Sequence, residues 1–396
     1  MKPHPSLGAL FALVLLHGCV STAKATEITI GDCDDLEAAV SSTGTAAVDG
    51  QLTTTSISCP EWTSFEITGN RLTLMAGGDV TDEDEVTFYN VRFIVSSELY
   101  VNLPVQFTGN TSEDETSRLM NGGIFYIEEG ARVEFLSDVS VVGGVVDTGV
   151  TDPADVTPDA GRGGCFYNEG RLKVHGSLQT DSCKAAVDLY SSNANVPGDG
   201  GTIWNGENGR ITVKGALNMV CAGSWNNNAG ESRGGGIYNA GKIDFYEDAS
   251  FPFFCYAARG GTIYNEGRIR FYEDSFAYFS SAWATDNGGH IFNAGNIFFL
   301  GGANHEYGNT HLSGGGIYNE GKAIYSPDTS VRFDTCGASD FGGAIAVTVD
   351  STFDLPADTV FDGNYIRLPE DDDEDRCDDI FLETETGYTC LTSWPQ

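Results

Sequence analysis

The motif Gly-Gly-x-Ile-aromatic-Asn recurs through the middle of this chain, and a side-chain pattern repeated at a near-fixed interval leaves few folds open. Clear copies run Gly200-Gly201-Thr202-Ile203-Trp204-Asn205, Gly234-Gly235-Gly236-Ile237-Tyr238-Asn239 and Gly260-Gly261-Thr262-Ile263-Tyr264-Asn265. Gly288-Gly289-His290-Ile291-Phe292-Asn293 and Gly314-Gly315-Gly316-Ile317-Tyr318-Asn319 continue the series, and Gly163-Gly164-Cys165-Phe166-Tyr167-Asn168 precedes it. Degenerate copies begin at Gly122 and Gly342. The second glycines fall at 123, 164, 201, 235, 261, 289, 315 and 343, so the last four intervals are 26, 28, 26 and 28 residues. Such a period means a stack of supersecondary units rather than one globular core.

Each unit reads as strands without helices. In the copy at Gly260 the first strand is Thr262-Ile263-Tyr264-Asn265, a turn follows at Glu266-Gly267, and Arg268-Ile269-Arg270-Phe271-Tyr272 alternates apolar and polar. The turn glycine recurs as Gly170, Gly209, Gly241, Gly267, Gly295 and Gly321, which predicts a positive φ there. A third apolar piece follows, as in Phe251/Phe253, Phe276/Tyr278 and Val331/Phe333. Three short strands in so few residues leave no room for crossover helices. The expected fold is all-β: a single right-handed parallel β-helix of about ten coils, each strand pairing with its equivalent ~4.8 Å away.

Stacking then assigns roles. Ile203, Ile237, Ile263, Ile291 and Ile317 form an interior aliphatic column, and Asn168, Asn205, Asn239, Asn265, Asn293 and Asn319 a ladder at the corner;. Between them Trp204, Tyr238, Tyr264, Phe292 and Tyr318 should point outward. Two readings of that row stand open: a rigidifying stack, or an exposed strip that binds sugars or a partner.

The ends set the boundaries: residues 1–25 a signal peptide, 26–64 an N-terminal cap, 65–365 the β-helix, and 366–396 an acidic C-terminal cap or tail. Lys2, the apolar run Leu7 to Leu16 and Ala23-Lys24-Ala25 form a secretory signal pattern;. That run is too short to span a bilayer. Leu16-His17-Gly18-Cys19 is a poor lipobox, and the last residues form no lipid-anchor tail;. Asp34 to Val40 reads as a short Asp-capped helix suited to closing the solenoid;. Asp147 to Arg162 and Ser191 to Gly200 read as protruding loops;.

The net charge is −36, and signal cleavage would remove Lys2 and Lys24 to leave −38. Acidic runs at Asp82 to Glu85, Glu113 to Glu115 and Asp371 to Asp375 would repel a phosphate backbone, which argues against nucleic acid as a partner. They serve solubility, with loose Ca²⁺ binding the sharper alternative. No EF-hand spacing is present, so neither metal site nor cofactor is assigned.

Nine cysteines remain after Cys19. Cys33 with Cys59, and Cys377 with Cys390, bracket the two ends as candidate disulfide clamps;. Cys183, Cys221 and Cys255 align at one slot in successive coils, followed by Ser280 and later Cys336. Stacked thiols allow one mutual bond, so at least one of the three should stay free. The alternative is that all of them fill a tight corner as small hydrophobes. Asn110-Thr111-Ser112 is a candidate glycosylation sequon;.

Gly342-Gly343-Ala344-Ile345, Phe107-Thr108-Gly109-Asn110 and Phe361-Asp362-Gly363-Asn364 resemble the repeats of the chlamydial polymorphic outer-membrane proteins, within the pectin-lyase-like superfamily. In the middle coils Cys183, Cys221, Cys255, Ser280 or Cys336 takes the Asn slot of the Phe-x-x-Asn motif. The resemblance covers roughly residues 100 to 365. It implies the β-helix. The secretion signal, the rigid stacked scaffold, the aromatic row and the lack of a catalytic constellation point to a secreted or cell-surface role in adhesion or as matrix, with an extracellular polysaccharide or surface protein as partner. That family also carries a C-terminal membrane β-barrel, and nothing after Gly343 reads as one. The superfamily hosts polysaccharide lyases, hydrolases and epimerases, so a carbohydrate-active enzyme is the alternative. No catalytic residue can be named: pairs such as Glu169/Arg171, Glu266/Arg268 and Glu320/Lys322 recur at the turn like solvated residues, and His290 fills a stacking slot;.

Overall fold

The computed structural model describes residues 24–109, 121–147, 161–186, 198–221, 232–252, 255–366, 379–384 and 387–391. The signal segment, Asn110, the acidic runs at 113–115 and 371–375, Cys377 and most of the two expected loops lie outside these residues.

The chain winds into a right-handed parallel β-helix, with three strands per coil. The first sheet stacks the motif strands, among them Ile203–Asn205, Ile237–Asn239, Ile263–Asn265, Ile291–Asn293 and Ile317–Asn319. The second holds the strands after the turn, twelve in all, from Thr26–Ile30 to Thr352–Asp354. The third runs from Val105–Thr108 through Phe276–Ser280 to Val360–Asp362. A short fourth row, such as Tyr256–Arg259 and Trp283–Asn287, leads back into the Gly-Gly pair. Near the N-terminus the long strands Ser56–Ile67 and Val86–Val95 turn this corner without a break, pairing with both the third-sheet and the first-sheet strands.

Beside the expected about ten coils, the second sheet has twelve strands among the described residues, and residues 26–64 supply strands as well as a helix. Thr26–Ile30 pairs with Val48–Leu52 and opens the second sheet. Between them the helix Cys33–Ser42 covers the end, its N-cap Asp32 accepting from the Asp35 amide at 3.0 Å and Leu36, Ala39 and Val40 buried. At the other end the antiparallel hairpin Ile380–Thr384 and Gly387–Leu391 adds to the first sheet beside Ile345–Val347.

The Ile column is in register and buried. The six Asn residues are fully buried, each Nδ2 donating to the next Oδ1 at 2.6–2.7 Å. The ladder ends at Asn319, which donates instead to the Gly321 and Thr352 carbonyls. An amide with two donors and an acceptor can satisfy both neighbours at once, so one residue type repeated at each corner solves its own burial.

Two sequence expectations fail on register and on backbone. In the third sheet Ala277 and Phe279 face inward, and Phe276 is 40% exposed. Phe251 therefore pairs with Phe279, not with Phe276 as the Phe251/Phe253 and Phe276/Tyr278 pattern suggests. A slip of one residue exchanges the faces. The turn glycines do not have positive φ; the first glycine of each Gly-Gly pair does, from Gly163 (65°) to Gly342 (63°). The turn needs glycine for a different reason: a Cβ on Gly267 would lie 2.2 Å from the Gly241 carbonyl oxygen, because successive turns pack backbone on backbone;.

The cysteines correct a third expectation. Cys33 is bonded to Cys59, fixing the helix to the Ser56–Ile67 strand. Cys221 is bonded to Cys255, and Cys183 to Cys165. Three stacked thiols do make one mutual bond, but the third is not free: Cys165, in the x slot of its motif, lies within reach of it. The slot after Cys255 is held by Ala282, which pairs there, rather than Ser280. Cys336, further along, is free and buried, and burial pushes its thiol up to about 12. Cys390 is disulfide-bonded. Peptide mapping without reduction should therefore return the pairs 33–59, 165–183 and 221–255, with Cys336 alkylated only after unfolding. Alkylation of Cys183 or Cys221 under those conditions would contradict this pairing.

Candidate functional site

The aromatic row forms a continuous stack on the outer side of the first sheet. It begins earlier than expected, with Tyr126 and Tyr167 at 4.6 Å and Tyr167 and Trp204 at 4.4 Å. It continues through Tyr238, Tyr264, Phe292 and Tyr318 at centroid distances of 4.9–5.8 Å, with near-parallel planes up to Phe292. The expected exposure is absent. Tyr167, Trp204, Tyr238, Tyr264 and Phe292 are buried as a second apolar cluster, separate from the solenoid core, with Tyr318 partly covered at the end.

What covers the rings is a rail of arginines. The guanidinium of Arg162 lies 4.8 Å from the Trp204 ring, Arg233 lies 4.7 Å from Tyr238 and 5.5 Å from Tyr264, and Arg259 lies 5.6 Å from Phe292. Arg92 repeats this over Tyr126. Burial lowers the Arg92 pKa to about 10, and the guanidinium donates to the Asn121 and Gly122 carbonyls. Cation–π attraction in a partly desolvated setting holds such a lid in place.

Apart from Arg92, the rail residues come from one position, the residue immediately before Gly-Gly. There Arg162 bridges to Asp199, and Arg233 to Arg259. Sequence reasoning missed this position because it concentrated on the invariant part of the motif; four successive copies carrying Arg162, Asp199, Arg233 and Arg259 were the available signal. Asp199 is the buried acid in the set, 7% exposed. Arg233 grips it in a fork, Nε donating to Oδ1 at 3.1 Å and Nη2 to Oδ2 at 2.6 Å, while the Arg233 backbone amide also donates to Oδ1. Burial raises the Asp199 pKa, and the Arg233 fork opposes that rise. Glu266 completes the network, accepting from the Tyr238 hydroxyl at 2.5 Å and the Tyr264 hydroxyl at 3.2 Å. Burial, then this bond, raises the Tyr238 pKa. Both Asp199 oxygens and the two tyrosine hydroxyls are thus committed to neighbours.

A second polar cluster lies on the outer face of the second sheet. Glu134 is nearly buried and takes Lys173 at 2.9 Å, His175 at 2.5 Å and Arg132. Burial alone would raise its pKa, but the His175 and Lys173 bonds and the Arg132 charge bring it down to about 2. Among the described residues no group of three or more His, Cys, Asp or Glu could hold a metal ion. No helix among them is long and apolar enough to cross a membrane.

Residues 38–328 match the family described as the BigA third pectate lyase-like domain. The chain belongs to that family. The match runs from within the N-terminal helix to beyond the last intact copy of the motif, so in this pectate lyase-like domain the family and the winding of the chain agree. Among curated proteins and among solved structures nothing matches. The disulfides of this pectate lyase-like domain are consistent with an oxidising, extracellular or surface setting.

Proposed function

We propose that the protein is secreted or displayed at a cell surface, where it serves as a rigid binding and adhesion scaffold without catalysis. The observation that carries this reading is the commitment of the reactive-looking groups. Asp199 is saturated by Arg233, Glu266 by Tyr238 and Tyr264, and Glu134 by Arg132, Lys173 and His175. A general base needs a free lone pair near a substrate, and a nucleophile needs an adjacent base; these carboxylates stiffen the sheet faces instead. The polymorphic outer-membrane-protein character of the repeats belongs to the same reading, and the natural partners are extracellular polysaccharide or a surface protein.

One observation favours the second reading, a carbohydrate-active enzyme. Asp199 is a buried carboxylate whose pKa is raised, and groups perturbed in this way cluster at active sites. A glycan panel read both for binding and for new reducing or unsaturated ends separates the two. Capture without product is expected. Product that disappears in Asp199→Asn would establish the enzyme and reject the scaffold.

A further inference from the structure

The outer face of the second sheet concentrates positive charge on a strongly acidic protein. Its seven consecutive strands from Arg132–Phe135 to Lys322–Tyr325, four residues each, hold eight of the chain's 21 Lys and Arg residues and only two acids, Glu134 and Asp244. The register makes this a column. Arg132, Arg171, Arg210, Lys242 and Arg268 pair row to row without interruption, and Lys322 follows after Asn296. Lys173 and Arg270 stand one outward position along.

Like charges on directly opposed strand positions destabilise a sheet. A scaffold under no other demand would alternate signs, as a stability argument alone requires. The two acids answer only part of the column: Glu134 is held by Arg132, Lys173 and His175, and Asp244 lies 4.0 Å from Arg210 and 3.4 Å from Arg268. Arg171 and Lys242 are exposed and have no ion pair among the described residues. The turn acids do not supply one, since Glu169 lies against Gly206 and Glu266 takes the two tyrosines. Aromatic rings interleave with the cations on the same face. Tyr246 and Tyr272 stack at 4.2 Å with Tyr246 38% exposed, and Phe298 lies under Arg270 and Lys322.

We propose that this face binds an extended sulfated glycan lying along the solenoid axis. The proposal rests on the adhesive reading and names its ligand class. Seven rows at ~4.8 Å make a flat track of about 29 Å, which suits a linear polymer with regularly repeated anions rather than a compact ligand. Four of the six column residues are Arg, whose fork matches oxyanions geometrically. At the second outward position Lys173 and Arg270 are offset by Glu134 and Asp244, so the single column carries recognition. Its strong Arg–oxyanion pairing favours the sulfate ester, with polygalacturonate as the discriminating control. The net charge of −36 acts against this only from nearby, because exposed charges more than about 8–10 Å away are largely screened at physiological salt. The near acids are Glu98, which pairs with Arg132, and the turn acids two or three residues before the column.

The test titrates the full chain against labelled heparin, the same chain chemically desulfated, polygalacturonate and single-stranded DNA. Heparin binding is expected, weakening about tenfold or more between roughly 50 and 200 mM salt as counterion release requires. Arg171→Gln with Lys242→Gln should weaken it by about tenfold and lower the log–log salt slope by about 2. Melting should be unchanged or slightly higher, since like charges are separated. Lys184→Gln, which removes an exposed cation from the third-sheet strand Leu178–Ala186, should change nothing. No heparin binding, equal binding of desulfated chain, polygalacturonate or DNA, or an unaffected double variant would each overturn the proposal. Cells or matrix that still capture the protein in that event would leave the adhesive reading standing; loss of both would remove it as well.

Discussion

Acidification from pH 7 to pH 4 is expected to destabilise this protein by several kcal/mol through two histidines alone. His290 and His305 are fully buried in the solenoid core. His305 stacks between Phe279 at 4.7 Å and Phe333 at 4.6 Å, with its Nε2 3.1 Å from the Tyr325 hydroxyl. His290 Nε2 lies 3.0 Å from the Glu306 carbonyl oxygen, so it donates there. Neither Nδ1 has a hydrogen-bond partner among the described residues. Burial pulls the His290 pKa down to about 3 and that of His305 well below its ordinary value, the neighbouring His290 adding to the second effect. The folded state therefore refuses protons that the unfolded chain accepts below about pH 6.5. Stability is intact above that value and declines as pH falls through the window down to the folded pKa. At roughly 1.4 kcal/mol per pH unit per group, His290 contributes about 3 kcal/mol of loss by pH 4, and His305 adds to it in the same direction.

Other groups act in the same range. The lowered Glu134 carboxylate loses its stabilisation progressively as pH falls from about 4.5 toward about 2;, the raised Asp199 carboxylate works in the opposite direction, and approach to the pI of about 4.2 relieves self-repulsion;. The measurement is therefore a difference. Urea midpoints at pH 7 and pH 4 are compared for the native chain and for His290→Thr with His305→Phe. The two substitutions take the residue types that other coils carry in those columns, Thr202 and Thr262 in one and Phe279 and Phe333 in the other. The variant loses the Tyr325 contact at both pH values, which cancels. A pH-dependent loss equal in both proteins would show that the histidines do not carry it.

The same two columns mark how far the sequence could be read. Identical side chains at a constant period are legible because the stack makes each residue its own neighbour. The Asn ladder and the Ile column follow from that alone. The buried histidines were harder: His290 could be placed in its slot, but His305 lies in the third strand, where Phe276 and Tyr278 suggested the opposite register. The turn glycines were legible as a constraint and not as its cause, since a missing Cβ serves positive φ and close backbone approach alike. The corner before the fourth row was hidden for a related reason. It places Ser182, Ser281, Tyr307 and Thr335 at φ of 53–56°, and only Gly143 and Gly363 elsewhere hinted at it. The aromatic row was visible, but its cover was not. Whether an outward ring meets solvent depends on which side chains fold over it, and the arginine rail sits just outside the repeated motif, where the residue changes from copy to copy.

That rail should be a principal stabilising element, and Arg233 its most sensitive member. Replacing it by Met keeps much of the apolar stem but removes the fork on Asp199 and the guanidinium over Tyr238 and Tyr264. An acid only 7% exposed is then left without its partner. Breaking a buried pair in this way costs about 3–5 kcal/mol, much of it the penalty for the stranded charge. The identity of that penalty can be checked through its pH dependence. Without Arg233 the Asp199 pKa, already raised by burial, rises further, and once the pH falls below it the carboxyl is neutral and the penalty fades. The destabilisation by Arg233→Met should thus be greatest at neutral pH and shrink on acidification, and adding Asp199→Leu should restore stability at neutral pH toward that of the native chain. Chemical denaturation of the native chain and the two variants at two pH values measures this. A loss independent of pH, with no recovery in the double variant, would mean that Arg233 acts by covering the rings and that its bond to Asp199 contributes little.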